Sequence, residues 1–340
     1  MKALPWLLAL GSSVAMAQPA VDTQVYGSLR LGFDVIDAGT DDDGGNGRDF
    51  LSRVGAKAQL PLQPDLTAVA QVEYGTRAEN GVDFKQNDGP GLRLANIGLK
   101  GRFGEVRIGS QTLVWHRFVR GAHFSDANDT LRQGSIRDDD LVQYYFTHGN
   151  VSIGASVQAE GQDGDTIDQY QLGGEYKQPK WKLQLALAKD ERGDNTGKLW
   201  GARLWLMPAS GLAFAAYQHR ADADFDHYAG STTGNVRLRD AAIEGDVKGV
   251  PSCLGEQRSS QGLYASYRFG NHQLHGRYAE DKCEDSGDVR SHKVEYVAHL
   301  HPQARAWLAY EQLANDEGRE PLSSSGDAMS AAQLGLRFDF

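Results

Sequence analysis

Residues 333–340 read Gln-Leu-Gly-Leu-Arg-Phe-Asp-Phe, and this stretch decides the fold. Its even-numbered residues are leucine or phenylalanine, whereas its odd-numbered residues are polar or glycine. Successive side chains of a strand point to opposite faces, so the segment predicts a strand with one apolar and one polar face. An aromatic residue in the last position, Phe340, fits a strand whose apolar face meets lipid better than a frayed, polar terminus.

Alternating segments of this kind recur along the whole chain. The sixteen runs lie near 25–35, 54–60, 66–74, 92–101, 104–111, 141–147, 151–159, 169–177, 181–189, 198–206, 211–219, 259–269, 272–280, 291–301, 304–313 and 329–340. Bacterial barrels have an even number of strands, and their polar inner face lowers the mean hydropathy, here −0.50. The predicted fold class is all-β, a transmembrane antiparallel β-barrel of 16 strands.

Long and short connections alternate between these runs. Residues 36–50 are predicted to form a long polar loop, whereas proline- and glycine-containing turns such as Pro61–Asp65 are short. The two longest connections are 112–140 and 220–258. Long loops on one side and tight turns on the other are typical of an outer-membrane barrel, whose turns are periplasmic and whose loops are extracellular.

The N-terminus has the three parts of a secretory signal. Lys2 supplies the basic start, residues 3–10 the apolar core, and residues 15–17 read Ala-Met-Ala. We expect residues 1–17 to be cleaved after export and residues 18–340 to form a single barrel. An exported protein enters a compartment that permits disulfides.

Composition narrows the possible partners. The formal charge is −10, or 34 − 45 = −11 without the signal segment, which argues against nucleic acid. Cys253 and Cys283, in polar loop sequence, predict a disulfide between neighbouring extracellular loops. No spacing typical of a metal site and no G-x-S-x-G motif occurs, so the sequence predicts no metal, cofactor or catalytic residue.

Two motifs carry a resemblance to a family. Residues 96–111 (NIGLKGRFGEVRIGSQ) resemble the core signature of Gram-negative general diffusion porins, and Arg137–Tyr145 resembles that family's Arg-x-x-Asn approach to the sixth strand. Phe338 and Phe340 resemble the C-terminal assembly signal of outer-membrane barrels. Ser110 departs from the family pattern.

The resemblance implies a homotrimer in the outer membrane through which ions and small hydrophilic solutes diffuse. It implies as partners the membrane lipid, lipopolysaccharide and the barrel assembly machinery. It also implies that the third long loop, 112–140, folds inward and narrows the channel. Asp140 stands where relatives often carry Asn, so anion preference does not transfer directly.

Lumen-facing charges would set which solutes enter. The candidates on the polar parity of the first, second, fourth and fifth strands are Arg30, Arg53, Lys57, Lys100 and Arg107. Candidates in or beside the third loop are Arg117, Arg120, Asp126, Asp129, Arg132 and Arg137. Basic residues on the wall facing acidic residues on the loop would create a transverse field.

Two alternatives stay open. A substrate-specific channel would show aromatic residues along the pore, and Trp115 and Phe118 in the third loop are the one hint of this. A barrel hydrolase would need a Ser or Asp beside a His on an outward face near the outer rim, and the sequence offers no such pair.

Overall fold

The barrel is one continuous sheet. A computed structural model describes residues 20–37, 44–50, 52–75, 91–120, 136–159, 167–191, 196–225, 256–284, 287–315 and 328–340. The strands are β1 (Asp22–Asp37), β2 (Gly44–Asp49), β3 (Arg53–Gln63), β4 (Leu66–Gly75), β5 (Gly91–Gly101), β6 (Gly104–Thr112), β7 (Arg137–His148), β8 (Val151–Gln158), β9 (Gln169–Gln178), β10 (Trp181–Asp190), β11 (Gly197–Ala209), β12 (Leu212–Ala221), β13 (Arg258–Phe269), β14 (His272–Cys283), β15 (Gly287–His301), β16 (Ala304–Asn315) and β17 (Ala328–Asp339). Each pairs antiparallel with its neighbours, and β1 pairs with β17 to close the barrel.

Two of these segments form one strand of the barrel. β2 and β3 both pair with β1, with Leu31 opposite Asp49 and Ser28 opposite Arg53. Three steps along β1 therefore face four steps along its partner, which is a β-bulge. The prediction of sixteen barrel strands is confirmed, but the predicted loop 36–50 was wrong in part, because β1 runs to Asp37 and β2 occupies 44–49.

Side-chain alternation separates the two faces of the wall. On β1 the odd-numbered residues Val25, Leu29, Leu31 and Phe33 are exposed on the outer wall. The even-numbered Ser28, Arg30 and Asp34 are buried on the inner side. Outward aliphatic and inward polar side chains are the pattern of a barrel in lipid. Among the described residues, no helix combines the length and apolar composition needed to cross a membrane.

In the described part of the chain, seven tight turns of two residues each join consecutive strands at one end of the barrel. They occupy 64–65, 102–103, 149–150, 179–180, 210–211, 270–271 and 302–303. The predicted turn Pro61–Asp65 is shorter than expected because β3 continues to Gln63, and β11 likewise continues through a proline to Ala209. The strand tolerates Pro208 because the ladder shifts register between Leu206 and Ala209.

The two longest connections are shorter than predicted. β6 ends at Thr112 and β7 begins at Arg137, so residues 137–140 belong to a strand rather than to the third loop. In that strand Asp140 has a φ of 50°, which is unusual for a residue with a side chain. β12 ends at Ala221 and β13 begins at Arg258. The predicted signal segment 1–17 and residues 226–255 lie outside the described residues.

The seam of the barrel depends on Gly27 and Phe340. The Gly27 N–H donates to the Phe340 carbonyl at 2.9 Å, and the Phe340 N–H donates to the Gly27 carbonyl at 3.1 Å. The phenyl ring lies over Gly27, where an added Cβ would sit 2.2 Å from the ring Cζ. Glycine is therefore needed for close packing at this point.

We expect Gly27→Val to weaken closure, because the branched side chain displaces the Phe340 ring and overpacking costs about 1–3 kcal/mol. The heat-modifiable, folded fraction on semi-native gels should fall. Gly276→Ala is the matched control, because nothing lies within 4 Å of its added Cβ. Equal folded fractions for the two variants would contradict this role of Gly27.

Candidate functional site: the barrel lumen

The third loop begins inside the barrel. Residues 113–120 follow β6 and include one π-helical turn, His116–Arg120, which we call the π-turn. The Leu113 N–H donates to the Ile136 carbonyl at 3.0 Å, which ties the two ends of the connection together. The buried apolar side chains of this segment and of the wall against it are Leu113, Val114, Trp115, Phe118, Val119, Ala186, Ala188, Leu199, Ala221 and Phe225. The described part of the loop therefore lies against the inner wall of β9–β12.

Inward-facing polar groups hold the segment by its backbone. The Trp115 N–H donates to Gln171 Oε1 at 2.9 Å. Arg203 Nη2 donates to the Phe118 carbonyl at 2.9 Å. These side chains come from β9 and β11, so two strands hold consecutive parts of one loop. A charged donor makes the Arg203 bond the stronger of the two.

Glycines on the inner wall make room for the aromatic rings of the loop. An added Cβ on Gly173 would lie 2.4 Å from Phe118 Cδ2, and one on Gly201 would lie 2.7 Å from Trp115 Cη2. The wall therefore offers a shallow seat that a larger residue would fill. This seat, together with the Arg203 bond, fixes the start of the third loop.

Arg117 is the predicted loop residue that is best placed. Its guanidinium carbon lies 3.9 Å from the centre of the Tyr145 ring, within cation–π range. Tyr145 lies on β7, and its hydroxyl donates to Gln143 Oε1 at 3.1 Å. Arg117 therefore adds a positive charge beside the inner wall, and the described part of the loop is basic at this point.

A cationic cluster surrounds Glu73 on the opposite wall. Arg93 Nε donates to Glu73 Oε1 at 2.7 Å, and Arg53 Nε lies 3.9 Å from Glu73 Oε2. The Tyr26 hydroxyl donates to Glu73 Oε2 at 3.0 Å, and Lys57 Nζ lies 4.9 Å from the centre of the Tyr26 ring. Glu73 is only 9% exposed and Arg53 25%, so the cation is closer to the water-filled space than the carboxylate.

Arg107 forms a second polar group on β6. Its Nε pairs with Glu105 Oε1, and its Nη1 donates to Asn96 Oδ1 at 2.8 Å. Gln111 Nε2 donates to the Arg107 carbonyl at 3.2 Å and so links this group to the base of the third loop. Arg107 therefore faces inward, as its parity predicts, but beside a carboxylate.

The other candidates differ in where they lie. Arg30 is buried inward, where its Nε donates to Ser28 Oγ at 3.0 Å. Lys100 does face the inner side but lies one residue before Gly101 and the turn at 102–103, so it lies at the mouth rather than at the waist. Arg137 is the first residue of β7, opposite Thr112. The Arg120 side chain, Asp126, Asp129 and Arg132 lie outside the described residues.

Sequence reasoning missed three residues of the inner wall. Glu73 was visible in the alternation of β4, but its neighbours were not. Arg93 was hidden because the β4–β5 ladder shifts register between Glu73 and Tyr74. Arg203 shares the polar parity of β11, but only the folded structure brings it against the loop.

Cysteine and histidine chemistry is limited in the described part of the chain. Cys283 is disulfide-bonded, and Cys253 lies outside the described residues, so their predicted pairing stays a prediction. Within the described ranges, no group of three or more His, Cys, Asp or Glu side chains could hold a metal ion.

Comparison with known proteins decides the family. The family model described as "Gram-negative porin" matches residues 6–236. This chain belongs to the Gram-negative porin family. It is an outer-membrane diffusion channel.

Named relatives agree with this assignment. The porin is 24% identical over 286 residues to the major outer membrane protein P.IB of Neisseria gonorrhoeae, covering 78% of this chain and 79% of that protein. It is 28% identical to a monosaccharide porin of Halomonas sp. over 302 residues, 77% of this chain and 72% of that one. The anion-selective porin from Comamonas acidovorans has the same fold, with a TM-score of 0.70 at 14% identity over 94% of this chain and 100% of that chain.

We expect Gly173→Leu to release the start of the third loop, because the new side chain occupies the position of the Phe118 ring. An overpacking cost of about 1–3 kcal/mol would lower the docked-to-undocked ratio by about 5- to 150-fold. Single-channel conductance in a planar bilayer should rise and become noisier. Gly174→Leu is the control, because Gly174 faces outward and its added Cβ would meet only ordinary contacts, the nearest at 3.4 Å. A folded Gly173→Leu porin with unchanged conductance would refute the docking role.

Proposed function

We propose that this porin is a general diffusion pore with a weak preference for small anions. The observation that carries the proposal is the sharing of Glu73 by Arg53 and Arg93, with Lys57 beside them. Arg53 and Arg93 on Glu73, together with Lys57 over the Tyr26 ring, leave a net charge of +2 on this part of the wall. Local charge, rather than the charge of the whole chain, acts on an ion in the pore because bulk electrolyte screens beyond about 8–10 Å.

The aromatic residues of the loop argue against the substrate-specific alternative. Trp115 and Phe118 are almost fully buried against the wall, so their rings are not presented to a passing solute. The name of the Halomonas relative, a monosaccharide porin, describes that protein. We therefore infer that selection in this porin rests on charge and pore width.

We further propose that the porin makes and breaks no bonds. The hydrolase alternative needs a Ser or Asp beside an outward-facing His near the rim. On the described outer wall, His272 Nδ1 lies 2.6 Å from the Tyr296 hydroxyl, and His292 contacts the Tyr278 ring. These partners are aromatic residues typical of a membrane interface.

Charge-reducing substitutions test the proposed anion preference. Arg53→Gln combined with Arg93→Gln removes two positive charges and keeps Glu73. At about 10 Å in water each charge changes the energy of an anion by about 0.4 kcal/mol and that of a cation by the same amount in the opposite sense, so removing both charges should lower the anion-to-cation permeability ratio by about fifteenfold. The measurement is the reversal potential in a salt gradient.

The control for this experiment is Arg102→Gln, because Arg102 lies in a tight turn, is 84% exposed and pairs with Asp65. It should leave the reversal potential unchanged. A reversal potential of the double variant equal to that of the wild type would sink the proposal, as would a wild-type porin that prefers cations.

We also propose that the porin is a homotrimer that contacts its neighbours through the outer wall of β3–β6. A shallow hollow of about 480 Å³ lies on this wall, and its outward-facing lining includes Ala56, Ala58, Ala70 and Ala95. Small residues allow close approach of a neighbouring wall. The remaining outer surface would contact membrane lipid and lipopolysaccharide. Residues 1–17 would direct export, and Phe338 and Phe340 would be read by the barrel assembly machinery.

Ala58→Trp should convert trimers to monomers, because the indole fills the hollow at the proposed contact while remaining compatible with lipid. Native gels or size-exclusion chromatography with light scattering would measure the trimer fraction. Leu185→Trp is the control, because Leu185 is exposed on the outer wall of β10, away from the hollow. Trimers that persist in Ala58→Trp and dissociate in Leu185→Trp would place the contact elsewhere.

A further inference from the structure

Charged side chains next to the tight turns carry mostly one sign. Among the residues two positions away from a tight turn in the described hairpins, the basic ones are Lys100, Lys177, Lys182, Arg268 and Arg305. Glu105 is the one acidic residue at such a position in these hairpins. We call the five basic residues the collar. The formal charge of the whole chain is −10, so this end of the barrel departs from the balance of the rest.

The collar faces the lumen at its mouth. Each collar residue shares its strand and its parity with a buried residue of the inner wall, and these buried residues are Asn96, Gln171, Gln184, Ser266 and Trp307. Lys100, Lys177 and Arg268 are exposed, because this end of the barrel opens to water. The Lys182 side chain is 25% exposed. The collar charges therefore act on ions that enter or leave at the turn end.

Strand register places collar residues directly opposite other cations. Lys177 pairs with Lys182 across β9 and β10, and Arg305 pairs with Arg337 across β16 and β17. Like charges directly opposite each other destabilise a sheet. Positive charge is thus concentrated at this mouth in spite of its cost to the stability of the ladder.

Acidic side chains at the turn end are matched by cations. Glu105 pairs with Arg107, Glu175 with Lys182, Asp339 with Arg337, and Asp65 with Arg102. The further side-chain charges at this end of the described barrel are Lys100, Lys177, Lys180, Arg268, Arg305 and Asp22. They sum to 5 − 1 = +4. The mouth at the turn end is therefore positive after its carboxylates are counted.

The inward charge changes sign along β9–β14. The collar supplies three positive charges to these strands, whereas the described inward charges at their other end are Asp190, Arg258 and Asp281, which sum to 1 − 2 = −1. Asp190 is 190 − 180 = 10 residues from its turn, and Asp281 is 281 − 271 = 10 residues from its turn. At about 3.3 Å per residue and a tilt of about 40°, that is roughly 25 Å along the pore. This exceeds the screening length of about 10 Å in 0.1 M salt, so the two ends act on ions separately.

We propose that the collar makes conduction directional, so that the porin passes more current when the chamber at the end with the long connections is positive. With this polarity anions enter through the collar and cations enter from the other end. The collar holds the cations back, so both ions accumulate in the lumen and the conductance rises. With the opposite polarity cations are excluded at the collar while anions leave through it, so the lumen is depleted of ions.

This directionality goes beyond the proposed anion preference. A positive charge at the waist selects between anions and cations but does not distinguish the two directions of flow, whereas a charge at one mouth does. Because the tight turns of outer-membrane barrels are periplasmic, the collar would act on anions that enter from the periplasm.

Single-channel currents at equal and opposite voltages in a planar bilayer test the proposal, with KCl as the electrolyte. In about 0.05 M KCl the two currents should differ by about twofold, because a unit charge about 10 Å away changes the local concentration of an ion by about twofold in water. In about 1 M KCl the screening length is about 3 Å and the ratio should approach one. Ser210→Cys, in an exposed tight turn, carries a biotin label, so that streptavidin blocks the channel only from the chamber that the turns face.

Two collar residues carry the decisive substitutions. Lys177→Gln combined with Arg268→Gln halves the charge of the mouth and should remove about half of the asymmetry, since the effect scales with that charge. Lys177→Glu combined with Arg268→Glu cancels the charge and should bring the ratio close to one. Lys198→Gln combined with Lys282→Gln is the matched control, because it removes the same charge from exposed, outward-facing residues near the other end. The control should keep the asymmetry of the wild type.

Three results would overturn the directional role of the collar. They are a symmetric current of the wild type in dilute KCl, an asymmetry of the opposite sign, and an equal asymmetry in the wild type and the collar variants. The reversal potential of the same channels in a salt gradient reports separately on the anion preference. An asymmetric current without anion preference would count against the proposed function alone, whereas a symmetric current with anion preference would count against the collar alone.

Discussion

Every backbone N–H and C=O at membrane depth must find a partner within the sheet, because the hydrocarbon offers none. In this porin the sheet formed by the described strands has no free edge because it closes on itself at β1, which pairs with β17 on one side and with β2 and β3 on the other. The backbone groups of β1 thus form hydrogen bonds with three other strand segments. The two reciprocal hydrogen bonds between Gly27 and Phe340 complete this pairing. In a closed barrel each side chain points either to the lipid or to the lumen. The alternation of outward apolar and inward polar residues follows from this.

Within the closed barrel, different parts of the inner wall differ in the size and charge of their side chains. Around β9–β12 the wall has small residues and the cation Arg203, which bonds the loop backbone, and there the start of the third loop docks. Around β3–β5 the wall has two arginines, Arg53 and Arg93, that share the carboxylate of Glu73. Docking requires glycine at positions such as Gly173, whereas selectivity requires long polar side chains. The two functions therefore occupy different arcs of one barrel.

Much of the fold could be predicted from the sequence, because apolar and polar residues alternate along most of the strands. The parity of Arg30, Arg53 and Arg107 followed from local sequence alone. β2 was missed because Gly44–Asp49 contains no apolar residue from which to see an alternation. The partnership of Glu73 with Arg93 was missed because a register shift lies between them and because pairing across strands is not local.

The two sides of β14 show why net charge says little about this protein. Its odd-numbered His275 and Arg277 are buried on the inner wall, while the even-numbered Gly276 and Tyr278 line a hollow on the outer wall. Neighbours in sequence therefore act in different solvents, one aqueous and one lipid. A formal charge of −10 sums over both faces and the loops, whereas an ion in the pore responds to the inner face and a lipid to the outer one. Selectivity and lipid contact can thus change independently along a single strand, by substitutions one residue apart.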